Sequence, residues 1–144
     1  MQKFYSKSKL WMLATILFLS MNFYSCNKPE KLHGTSWESD YFETEFEGDI
    51  YRIEKITIFF GEPDRYFNTS VDIKVYEAYH PIFNTTHDGV LSVFANYTFE
   101  GKNLTLKFVN TTEPSLEQDW VGTVDKKTMT LRNVLGKTVE FRKR

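Results

Sequence analysis

From residue 35 to residue 142, run after run places apolar side chains on every second position, and this period of two constrains the chain more than any other feature. An extended strand turns successive side chains to opposite faces, so each run buries one face and wets the other. Val71, Ile73 and Val75 alternate with Asp72, Lys74 and Tyr76, and Leu104, Leu106 and Phe108 alternate with Thr105 and Lys107. Leu91, Val93, Ala95, Tyr97 and Phe99 share one parity. A helical period of 3.6 does not recur after Met21, so the segment reads as all-β. Ile56, Ile58 and Phe60 continue the pattern, but Tyr51 and Ile53 have the other parity, which predicts a bulge near Glu54.

The runs divide into eight strands at about 35 to 43, 50 to 60, 66 to 76, 90 to 99, 104 to 109, 120 to 125, 128 to 133 and 137 to 142. Paired in sequence order they make an antiparallel up-and-down meander. Its connections near 61 to 65, 100 to 103 and 125 to 127 fall at one end. Those at 44 to 49, 77 to 89, 110 to 119 and 134 to 136 fall at the other, and three of these four are long. Closing eight strands into a barrel removes both exposed edges and gives a closed floor and an open mouth. An antiparallel sandwich can use the same strands and stays open as an alternative.

The start of the chain belongs to targeting rather than to the barrel. Lys3, Lys7 and Lys9 precede an apolar run of twelve residues, Leu10 to Met21, and Asn22-Phe23-Tyr24-Ser25-Cys26 follows. This is the order of a secretory signal, and the run is short of the roughly twenty residues of a spanning helix. Residues 1–25 are expected to be removed, 26–32 to form a tether and 33–144 to form the folded domain. Cys26 is the single cysteine, so the domain has no internal disulfide to rely on. The order of an apolar run, Ser25, Cys26 and the polar Asn27-Lys28-Pro29-Glu30 resembles the lipobox of bacterial lipoproteins, in a loose form similar to that of Bacteroidetes. That resemblance implies acylation of Cys26 and anchorage in the cell envelope, most simply the outer membrane. An ordinary signal peptide with an incidental thiol is the alternative.

Three further stretches resemble small lipocalin-like lipoproteins of Bacteroidetes. They are Leu32-His33-Gly34-Thr35-Ser36-Trp37, the hairpin Tyr97 to Leu106, and Gly122-Thr123-Val124 followed by Met129-Thr130-Leu131. The resemblance implies a lipocalin-like barrel whose floor is formed by Gly34 and Trp37, with a basic residue of the last strand over the indole. Arg142 is the expected partner. The spacing here is Gly-x-x-Trp, one residue longer than the Gly-x-Trp of lipocalins.

Chemistry is sparse in the sequence. His33, His80 and His87 are the three histidines, and their spacing is not that of a zinc site. Phosphate loops, nucleophile elbows and Cys/His dyads are missing too, so the expectation is a non-enzyme without metal or cofactor. Removing residues 1–25 takes three lysines and no acid, leaving a net charge of −4, which argues against nucleic-acid partners. Glu38, Asp40, Glu43, Glu45, Glu47 and Asp49 crowd one stretch, either as a solvated edge or as hard oxygen ligands for calcium. Tyr76, Tyr79, Phe83 and Trp120 are the candidates for gripping a small apolar or amphipathic ligand at the mouth. The competing expectation is an envelope protein that contacts another protein and has a filled core. Asn-x-Ser/Thr triplets at Asn68, Asn84, Asn96, Asn103 and Asn110 keep a secreted eukaryotic glycoprotein as a third reading.

Overall fold

The computed structural model describes residues 31–62, 66, 68–80 and 85–144. Residues 1–30, which include the expected export segment and Cys26, lie outside the described residues, as does Phe83. The strands are β1 (Thr35–Ser39), β2 (Phe42–Phe46), β3 (Asp49–Phe60), β4 (Thr69–His80), β5 (Thr85–Glu100), β6 (Asn103–Val109), β7 (Trp120–Asp125), β8 (Thr128–Val134) and β9 (Lys137–Lys143), with one 3-10 turn at Pro114–Leu116. Every pairing is antiparallel, and strands adjacent in sequence pair from β2 through to β9.

β1 and β2 are two halves of one bent strand. β1 pairs with the end of β3, from Thr35↔Phe60 to Glu38↔Thr57, and β2 pairs with its beginning, from Phe42↔Ile53 to Phe46↔Asp49. Counted so, the molecule is an eight-stranded closed barrel. Closure comes from β1 pairing with β9 at Trp37↔Lys143, Glu38↔Arg142 and Ser39↔Phe141. Where β1 gives way to β2 the ladder loses a partner, and Ser39 replaces it: its buried Oγ accepts the Ile56 N–H at 2.9 Å. On the β3 side the same place is marked by a register shift around Ile53 to Lys55, the bulge that the parity change at Glu54 predicts.

The interior follows the alternation. Trp37, Ile56, Ile58, Phe60, Val71, Ile73, Leu104, Leu106, Met129, Leu131 and Phe141 are buried in one cluster. Phe60 and Tyr97 meet edge-to-face at 5.1 Å across it. Gly122 sits in β7 opposite Leu131, so close to β8 that a Cβ there would lie 1.7 Å from the Thr130 carbonyl oxygen.

Two expected long loops at the upper end are not loops. The connection at 44 to 49 is a two-residue turn, Glu47-Gly48, with φ of +53° and +89°, the mirror-image turn that suits the twist of a hairpin. The span 77 to 89 is mostly strand, because β4 runs on to His80 and β5 starts at Thr85. A bulge between Val75 and Ala78 sets two residues of β4 against one of β5, which breaks the period of two and hides the continuation. The 110 to 119 connection remains long. The grouping of long loops at one end therefore does not hold, although the barrel it pointed to does.

Candidate functional site

The upper end of the barrel is built by β7 and the turns beside it. Trp120, the first residue of β7, is fully buried and meets Phe108 edge-to-face at 4.7 Å. Leu116 on the 3-10 turn and Leu135 in the β8–β9 turn are buried in the same core cluster. Leu135 takes a left-handed φ of +49° to do so, an uncommon choice for a leucine, in a tight turn completed by Gly136 at +76°. Among the described residues, Trp120 Nε1 is the buried side-chain polar atom that lacks a hydrogen-bond partner.

The three candidate ligand residues that are described, Tyr76, Tyr79 and Trp120, do not converge. Trp120 points into the core, whereas Tyr76 is 65% exposed. Tyr79 lines a shallow depression of about 210 Å³ with Ile50, Arg52 and Glu77. Arg52 is ion-paired there with Glu77 and, at 3.3 Å, with Glu43. The hydrogen bond that Arg52 donates to Glu77, and the charge of that carboxylate, hold the guanidinium above its ordinary pKa.

What the extended hairpin creates instead is a strand edge. β6 accompanies β5 only as far as Phe94↔Val109, while β5 reaches back to Thr85. Among the described residues no strand pairs with Thr85–Val93 on that side. Val90, on this stretch, is 61% exposed. No sequence pattern marked the edge, because the bulge at Val75 to Ala78 concealed the strands that form it.

At the floor, Trp37 is fully buried and its Nε1 donates to Thr35 Oγ1 at 2.8 Å. The cation over its ring is Lys143, with Nζ at 5.8 Å, and not Arg142. Arg142 pairs with Glu38 in the ladder and sends its guanidinium outward to Asp40 at 3.3 Å and Glu140 at 3.8 Å. Register decides this: Lys143 is opposite Trp37, and the neighbouring residue faces the other way. Gly34 takes φ of +75° in the turn before β1, and its N–H donates to the Phe60 carbonyl at 2.6 Å.

The acidic stretch is dispersed. Glu38 binds Lys55 at 3.3 Å and Arg144, Asp40 binds Arg142, and Glu43 and Glu45 are exposed on β2. Glu47 lies in the turn between β2 and β3. Among the described residues, no three His, Cys, Asp or Glu side chains come together as a metal site. Burial by itself pushes the Glu38 carboxyl up, but hydrogen bonds and charge from Arg144 and Lys55 outweigh it and leave the group below its ordinary value. Asp125 is also lowered, first by the Lys126 backbone N–H and then by Lys102. Both shifts are opposite to what a proton-donating acid needs. Asn68 is buried, and its Oδ1 accepts the Tyr97 N–H at 3.0 Å, so it serves the fold rather than offering a glycan site. Comparison with protein-family models, with curated proteins and with solved structures finds no match to this chain.

Proposed function

We propose that this chain is a non-catalytic interaction module of the bacterial cell envelope, anchored through an acylated Cys26, that takes up an extended segment of a partner protein along β5. The observation that carries the reading is the strand edge at Thr85–Val93, where β5 outruns β6. An extended segment added there gains main-chain hydrogen bonds, and the exposed Val90 lends apolar contact. Natural sheets usually blunt such an edge with lysine or proline. Residues 85 to 93 contain neither. The absence of phosphate-loop, nucleophile and metal motifs in the sequence supports the non-catalytic part, and the resemblance to lipocalin-like lipoproteins supports the address.

The test places a photo-crosslinking side chain at Val90 or at Asn96, which pairs with Lys107 of β6, and irradiates intact membranes. One protein adduct of defined mass at position 90 and none at 96 is expected. Equal adducts at both, or none at 90, would overturn strand addition.

A second reading, a small apolar or amphipathic ligand at the upper end, is favoured by the partnerless Trp120 Nε1. A buried donor left unpaired costs about 1–3 kcal/mol, which an acceptor on a bound molecule would offset. Native mass spectrometry of protein extracted from its own membrane, reporting acylation and retained small molecules together, separates the two readings.

A further inference from the structure

The barrel is not uniform from end to end. The lower turns and the ends of the described chain carry Lys31, Lys102, Lys126, Lys127, Lys143 and Arg144, all exposed, with exposed acids there at Glu62, Glu100 and Asp125. The upper turns and strand ends carry exposed Glu45, Glu47, Asp88, Glu113, Glu117 and Asp119, with exposed bases there at Arg132 and Lys137. The overall acidity of the chain hides this division.

Exposed apolar side chains occur at both ends, with Ile50, Tyr76 and Val90 toward the upper one, but the paired phenylalanines lie toward the lower one. Phe59 and Phe94 flank Ser70 in one row across β3, β4 and β5, on the outer face near the lower end. Phe59 is 47% exposed, Phe94 52% and Tyr66 82%. Phe59 and Phe94 line a groove of about 330 Å³ with Gly34, Gly61, Glu62 and Asn68. Large aromatics at this exposure on one flank are what a site of contact shows, and the amphipathic ring of Tyr66, together with lysines on the turns of the same end, suits the headgroup region of a bilayer.

Covalent reach selects this occupant over a soluble partner. Five peptide links join Cys26 to Lys31, a span of at most about 18 Å, and the chain enters the barrel at its lower end through Gly34, which itself lines the groove. We infer that the lower end of the barrel lies on the bilayer that holds the anchor, with Phe59 and Phe94 at headgroup depth and the lysine-bearing turns against anionic headgroups. The inference rests on the acylation of Cys26 proposed above. It adds an orientation, with the β4–β5 hairpin directed away from the membrane.

The experiment uses the acylated chain extracted from membranes and reconstituted in vesicles of phosphatidylethanolamine and phosphatidylglycerol that carry a headgroup spin label. A fluorophore is attached at Asn103→Cys in the lower turn or at Glu117→Cys beside the upper 3-10 turn, both exposed positions. Quenching several-fold stronger at 103 than at 117 is expected. It should fall towards the value at 117 in a chain that also carries Phe59→Ser, Phe94→Ser and Lys127→Glu, all exposed residues whose loss leaves the melting transition cooperative. Equal quenching at both positions, or stronger quenching at 117, would overturn the orientation while leaving the anchor intact. Failure of the anchor has its own signature, because the parent chain would then take up fluorophore at a free Cys26 and show an intact mass without acyl groups, and the orientation would fall with it.

Discussion

Ser39 and Gly122 show how much rests on single atoms in this barrel. Ser39→Ala leaves the Ile56 N–H buried without an acceptor, and urea unfolding should report a loss of about 1–3 kcal/mol. Gly122→Ala forces a methyl into the Thr130 carbonyl, and since backbone rather than a flexible side chain must yield, a loss of about 1–3 kcal/mol is expected in the same measurement. Glu38 contributes to the pH dependence of stability. Its carboxyl is held below the ordinary value by Arg144 and Lys55 against its burial, so its contribution is present above the unfolded-state pKa and disappears as pH falls through the lower folded value. Glu38→Gln should therefore cost on the order of 1 kcal/mol at pH 7 and nothing once the native group is protonated, as followed by unfolding across a pH series. The choice of Lys143 rather than Arg142 over Trp37 was not legible in the sequence, since two adjacent basic residues differ only in which face of β9 they take.

At the level of elements, strands with unbroken alternation were readable and those with bulges were not. β6, β7 and β8 fall within a residue of the expected bounds, whereas β4 and β5 run four and five residues further at the hairpin end, beyond the irregularity at Val75 to Ala78. Tyr79 changes face across that irregularity and lines the outer depression with Ile50, away from the buried Trp120. The half-strand β2 has its own weakness. It has backbone pairing to β3 and none to β9, and it is held to the far side by Thr44 Oγ1 donating to the Leu135 carbonyl at 3.0 Å and Lys137 Nζ donating to the Glu43 carbonyl at 2.9 Å. The double change Thr44→Val with Lys137→Met should speed amide exchange in Phe42–Phe46 several-fold while leaving exchange in β7 and β8 unchanged, because those strands are paired on both sides.

For the whole molecule, the meander and its closure were legible because parity and turn positions specify neighbours in sequence, while the first-to-last pairing needed only that no edge be left. The strand edge on β5 and the separation of charge between the two ends were not, because each depends on where a strand stops in space. Removing residues 142–144 takes away Trp37↔Lys143 and Glu38↔Arg142, the Arg144 ion pair and the cation over the indole. The expected result is a red-shifted tryptophan emission and a broadened thermal transition, and an unchanged melt would show that closure matters little. The pairing of β1 with β9 also sets an order of events in time. Because β1 finds its mate only in β9, each hairpin between sequence neighbours can form as its second strand leaves the ribosome, whereas the clasp must wait until β9 has been made.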